Sequence, residues 1–125
     1  MKMGLYIHIP FCQQKCLYCD FPSEANLTHL YLPYVAALCQ EISGKGGVLS
    51  GDVIDTIYIG GGTPTVLATD SLREILECVH NSFVIDKNAE ISIEANPGTV
   101  DQNKLRALKA SGVNRISFGV QTFSD

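Results

Sequence analysis

A chain of 125 residues with 46% hydrophobic and 18% charged content has the composition of one globular domain with its own core, which excludes a disordered chain. Nine basic against thirteen acidic residues give a net charge of −4 without any Lys/Arg stripe, so a nucleic-acid or anionic-membrane partner has no electrostatic support. No apolar run approaches the ~20 residues of a spanning helix and the N-terminus lacks the pattern of a signal peptide, so a cytoplasmic location is expected.

Met3 to Ile9 alternates, with Leu5, Ile7 and Ile9 on one face and Tyr6 and His8 on the other, which predicts a strand ended by Pro10. Directly after it, Cys12, Cys16 and Cys19 place three thiols in eight residues. The total of five cysteines is odd, and three crowded into one loop argue for metal binding over a disulfide framework. Soft thiolates favour iron-sulfur or zinc, and a set of three leaves one coordination position open. A four-iron cluster with one iron lacking a protein ligand is one reading; a zinc site completed by His8 or His29 is the other.

A helix is expected over Leu27 to Ser43 from the spacing of Leu30, Val35, Leu38 and Ile42, with Gly44, Gly46 and Gly47 marking its end. Val53 to Ile59 is a second strand, running into the breaker-rich turn Gly60-Gly61-Gly62-Thr63-Pro64-Thr65. Leu72, Ile75, Leu76 and Val79 predict a second helix, with Ser71 and Glu74 spaced as a capping box. Ala89 to Ala95 is a third strand stopped by Asn96-Pro97-Gly98; Thr99 and Gln102 are spaced as another capping box before a short helix over Leu105 to Ala110. Arg115 to Val120 is a fourth strand.

Strand, loop and helix thus repeat three times before a last strand, and connections of this length imply right-handed crossovers in a parallel sheet. Each strand has one apolar face (Ile7 and Ile9, Ile57 and Ile59, Ile91 and Ile93, Ile116 and Phe118) and one polar or small face (Tyr6 and His8, Thr56 and Tyr58, Ser92 and Glu94, Ser117 and Gly119). A sheet covered on both sides reads as continuous apolar runs, so one-sided strands predict an α/β partial barrel with helices outside and a polar interior. The cysteines, the glycines, Glu94 and Gln121 all fall at carboxyl ends of strands, the rim where such folds carry chemistry. A complete barrel needs roughly 200 residues or more, so the chain is expected to be the N-terminal part of a longer core domain, with the rest of the barrel and a C-terminal domain outside it.

The spacing Cys12-x-x-x-Cys16-x-Tyr18-Cys19 resembles the signature of the radical S-adenosylmethionine enzymes. The resemblance implies a parallel partial barrel and a [4Fe-4S] cluster on the three cysteines. It also implies S-adenosylmethionine chelating the open iron and yielding a deoxyadenosyl radical after one-electron reduction. It assigns Gly61, Gly62 and Thr63 to the glycine motif beside the methionine amino group, and Glu94 to the ribose hydroxyls, where a carboxylate is a good acceptor. Gln121, Tyr6 and Tyr18 are assigned to the same cosubstrate, Tyr18 on the adenine side. Read as residues alone, the glycines are a tight turn or a backbone approach site, Glu94 and Gln121 are rim polar groups, and a plain core tyrosine is the competing reading of Tyr6. Cys39 and Cys78 fall in helical patterns as small core residues.

Tyr6-Ile7-His8-Ile9-Pro10-Phe11-Cys12, Glu94-Ala95-Asn96-Pro97-Gly98-Thr99 and Ile116-Ser117-Phe118-Gly119-Val120-Gln121 together resemble the oxygen-independent coproporphyrinogen III oxidase group. Its oxidative decarboxylases carry one more cysteine two positions past the third cluster ligand, and Phe21 stands there in this chain. Cys19-Asp20-Phe21 and Asn114-Arg115-Ile116-Ser117 resemble the haem-chaperone branch instead. That branch implies haem as cargo, haem-acceptor proteins as partners, an electron donor such as a flavodoxin or an NADH system, and membrane contact only through acceptors. The sequence leaves both a carrier and a porphyrinogen oxidase open.

Overall fold

The computed structural model describes residues 2–11, 28–48 and 51–118. Four strands, β1 (Lys2–Ile9), β2 (Val53–Gly61), β3 (Val84–Ala95) and β4 (Arg115–Phe118), form one parallel sheet in the order β1-β2-β3-β4. They are joined by α1 (Tyr31–Val48), α2 (Thr69–Ser82) and α3 (Gln102–Ala110). Each new strand adds beside the previous one, with no reversal of order. Crossovers of one hand then lay every helix on the same side of the sheet.

The core records that one-sided arrangement. Ile7, Ile9, Ile57, Ile59, Ile91 and Ile93 are at most 5% exposed, and they pack with Val35, Cys39 and Ile42 of α1, Leu72, Ile75, Leu76 and Val79 of α2, and Leu108 of α3. Each such aliphatic side chain contributes about 1.5–3 kcal/mol on burial. Across the sheet, Tyr6, His8, Thr56 and Tyr58 remain exposed. The α/β class and the single covered face are therefore as expected from the alternation, and among the described residues the sheet is open rather than closed.

Several boundaries differ from the sequence reading. Here α1 begins at Tyr31, after a short 3-10 turn at Thr28–Leu30, and continues through Gly44, Gly46 and Gly47 to Val48. The reason is packing: a Cβ on Gly46 would lie 2.3 Å from the carbonyl oxygen of Ser82, so this glycine lets α1 approach the end of α2 instead of stopping the helix. Helix α2 starts at Thr69 with Ala68 as its N-cap and no side-chain cap, and Ser71 is buried within its first turn, so the Ser71–Glu74 capping box does not form. Before α3 the cap is Asp101, which accepts from the Lys104 N–H at 2.8 Å. Thr99 instead completes a capping box with Asn96 around the 3-10 turn Pro97–Thr99.

Strand β3 starts five residues earlier than expected, at Val84. Val84 and Ile85 pair with Val53 and Ile54, after which the register jumps so that Thr56 faces Glu90. Asp86, Lys87, Asn88 and Ala89 span that irregularity, and its polar first three residues concealed the strand. In β4, Ile116 is half-buried and Phe118 is 45% exposed, so the apolar face is less covered here than on the other strands. Gly119, Val120 and Gln121 lie outside the described residues, as does Leu27.

Candidate functional site

The parallel order brings the carboxyl ends of β1, β2 and β3 to one edge, where β2 turns over β1. Gly61 has φ +111, a backbone conformation that side-chain-bearing residues rarely adopt, and a Cβ there would lie 2.7 Å from the carbonyl oxygen of Ile9. The Gly62 N–H donates to Ile9 O at 2.7 Å, and the Thr63 N–H donates to Phe11 O at 2.6 Å. The glycine turn is thereby fastened to the residue that immediately precedes Cys12. Phe11 is itself buried, its ring 4.5 Å from that of Tyr31 and 5.4 Å, edge-on, from that of Tyr34, whose hydroxyl donates to the His8 carbonyl.

Glu94 reaches this turn from β3. Its Oε1 accepts the Gly61 N–H at 3.1 Å and its Oε2 accepts the Tyr58 hydroxyl at 2.6 Å. The glycine at position 60 makes room for this, since a Cβ there would lie 2.8 Å from the Tyr58 ring and 2.9 Å from Glu94 Oε1. Tyr58 stacks on Tyr6, centroids 6.0 Å apart with planes 15° from parallel, and the Tyr6 hydroxyl and His8 Nδ1 are 3.2 Å apart. The hydrogen bond to Glu94, with desolvation and the carboxylate charge behind it, raises the Tyr58 pKa above 10.0. Gly61, Gly62, Thr63, Glu94, Ala95, Asn96 and Ser117 line a cleft of about 270 Å³.

Of the residues singled out from sequence, Tyr6, Gly61, Gly62, Thr63 and Glu94 gather at one end of the open face. Tyr6 is 57% exposed among the described residues. Cys12, Cys16, Cys19, Tyr18, Phe21 and Gln121 lie outside the described residues. Among the described residues no group of three His, Cys, Asp or Glu side chains is placed to hold a metal ion, and His29 and His80 are exposed. Tyr58 and Ser117 were not singled out. The alternation already put Tyr58 on the polar face, but only the pairing Tyr6↔Tyr58↔Ser92 sets it beside both Tyr6 and Glu94.

The residues fit an adenosyl cosubstrate in two respects. The Gly61–Thr63 turn lines a cleft of about 270 Å³ together with a carboxylate that has acceptor capacity left over, since each oxygen has two lone pairs and uses one. Three thiolates in the Cys12–Cys19 stretch are a donor set suited to a four-iron cluster.

A family model described as the radical SAM superfamily matches residues 6–125, and the chain belongs to that family. Similar proteins include the heme chaperone HemW of Synechocystis sp., 44% identical over 131 residues, covering 100% of this chain and 31% of the relative. The heme chaperone HemW of Escherichia coli is 42% identical, covering 98% of this chain and 33% of its own length. An oxygen-independent coproporphyrinogen III oxidase of Bradyrhizobium diazoefficiens is 34% identical, covering 96% of this chain and 27% of the relative. The solved structure of the Escherichia coli coproporphyrinogen III oxidase HemN, described as a radical SAM enzyme, superposes with a TM-score of 0.85 at 35% identity, covering 97% of this chain and 28% of that one. The chain thus spans about one third of the length of the HemW relatives it matches. Among the described residues no helix is long and apolar enough to cross a membrane.

Proposed function

We propose that this chain is the cluster- and cosubstrate-binding part of a cytoplasmic haem chaperone, with haem-binding residues in the portion of the longer relatives that it does not span. Cys12, Cys16 and Cys19 would hold a [4Fe-4S] cluster; Tyr6, Tyr18, Gly61, Gly62, Thr63, Glu94 and Gln121 would form the S-adenosylmethionine site. When bound, the two supply one-electron chemistry at the sulfonium. The protein's own part is placement. The Gly61 N–H of the glycine turn holds the Glu94 carboxylate, which accepts from a diol with its remaining lone pairs, and the Tyr6–Tyr58 stack walls the site on the open face. Haem is the cargo, haem-acceptor proteins take it, and a flavodoxin or an NADH system is the electron source.

The observation that carries the choice of chaperone is Phe21, where the decarboxylating branch has a further cysteine. The relatives named heme chaperone HemW, at 44% and 42% identity, support it. The second reading, a coproporphyrinogen III oxidase, is favoured by the TM-score of 0.85 to HemN. The test gives the anaerobically reconstituted full-length protein haem and coproporphyrinogen III in parallel, with reductant and S-adenosylmethionine. A stable haem absorption band without protoporphyrinogen is expected. Protoporphyrinogen formation would replace the chaperone reading by the oxidase.

A further inference from the structure

Glu94 carries two hydrogen bonds before any ligand arrives, both from β2 but of different chemistry, one a backbone amide and one a phenol. The Gly61 N–H fixes Oε1 at 3.1 Å and the Tyr58 hydroxyl fixes Oε2 at 2.6 Å, a length typical of a hydroxyl on an ionised carboxylate. Tyr58 is in turn held flat by its stack on Tyr6 and by its register between Tyr6 of β1 and Ser92 of β3. Gly60 leaves the space in which phenol and carboxylate meet, since a Cβ would touch both. One lone pair on each carboxylate oxygen is spent, and one on each remains.

We propose that Tyr58 is a positioning residue for the ribose diol of the cosubstrate: its hydroxyl, opposite the Gly61 N–H, locks the Glu94 carboxylate so that its two oxygens serve two neighbouring hydroxyls. This rests on the reading of Glu94 as the ribose acceptor. A carboxylate fixed in advance loses less conformational freedom on binding, so the lock contributes to affinity without touching the ligand.

The test measures S-adenosylmethionine affinity by calorimetry on the full chain with its cluster reconstituted. Unchanged protein, Tyr58→Phe, Glu94→Ala and the double variant are compared, each checked for an unperturbed thermal midpoint. Tyr58→Phe keeps the ring on Tyr6 and should weaken binding about tenfold, the effect of losing one hydrogen bond to a charged group. On the Glu94→Ala background the same change should do nothing. The unchanged protein should prefer the cosubstrate over its 2′-deoxyribose analogue, and Tyr58→Phe should narrow that preference, which a purely structural role would not do. A Tyr58→Phe protein that binds normally while Glu94→Ala is weakened, or an equal loss on both backgrounds, overturns the positioning role alone. Normal binding by Glu94→Ala overturns the ribose reading and the positioning role together.

Discussion

The N–H of Gly61 and the carboxylate of Glu94 meet at 3.1 Å, joining the end of the second strand to the end of the third across 33 residues of sequence. Gly61 can serve because its φ of +111 turns the chain over β1, whose Ile9 carbonyl oxygen would lie only 2.7 Å from a Cβ. Gly61→Ala is therefore expected to destabilise the protein by about 2 kcal/mol, combining backbone strain with a steric clash. Gly44 is a helical glycine whose added Cβ would meet nothing within 4 Å, so Gly44→Ala is expected to stabilise by about 0.5–1 kcal/mol. Urea unfolding of the two variants checks the contrast. Equal effects would remove the special role of the turn.

Asn114 stands in for a strand residue at the start of β4. Its Oδ1 accepts from the Ile91 N–H at 2.9 Å, its Nδ2 donates to the Ala89 carbonyl at 2.9 Å, and its own N–H donates to Ile91 O. Asn114→Ala leaves two partly buried β3 groups without that partner and should destabilise by about 1–3 kcal/mol. Arg115→Ala, which breaks the exposed pair with Glu90 at 2.7 Å, should have a smaller effect, because solvent screens such pairs. Chemical unfolding midpoints decide the order, and a larger loss for Arg115→Ala would contradict it.

Alkaline pH should loosen the α1–α2 interface. Burial, then the hydrogen bond with Cys78, pushes the Cys39 thiol from 9.0 up to about 12. The folded state keeps that proton when the unfolded chain has lost it, so the contribution is complete below pH 9 and disappears as pH rises towards 12. Burial and the nearby Glu41 raise Tyr34 in the same sense, whereas desolvation lowers Lys104 and acts oppositely just below 10.5. Stability followed against pH should fall above 9, and Cys39→Ala should flatten that fall. An unchanged slope would mean the thiol is not the group responsible.

The phenol of Tyr58 should ionise late for the reason that makes it useful. Its bond to Glu94 is the main cause, with desolvation and the carboxylate charge adding to it. Glu94→Gln removes the charge and should bring Tyr58 back towards 10.0. The phenolate absorbance of each protein, taken as a difference from its Tyr58→Phe counterpart, isolates this one tyrosine. A Tyr58 titration unaffected by Glu94→Gln would show that the carboxylate does not hold the proton.

Alternation along Met3 to Ile9 and around Ile57, Ile91 and Ile116 was enough to determine an α/β fold with a parallel sheet and one polar face, because strand period and burial on one side are written locally. The three-thiol spacing and the glycine, Glu94 and Gln121 motifs were equally local, which is why the family was legible before any contact was known. Tertiary structure decided what depends on residues distant in sequence. Gly46 reads as a helix stop yet continues α1, since the space it leaves belongs to Ser82 of another helix. Asp86 to Asn88 precede the strand expected from Ala89 yet lie within β3, because a register jump against β2 absorbs them. Tyr58 became part of the candidate site only when pairing set it between Tyr6 and Ser92 and put its hydroxyl on Glu94, 36 residues away. Sequence period says which way a side chain points; register and packing decide what it meets there.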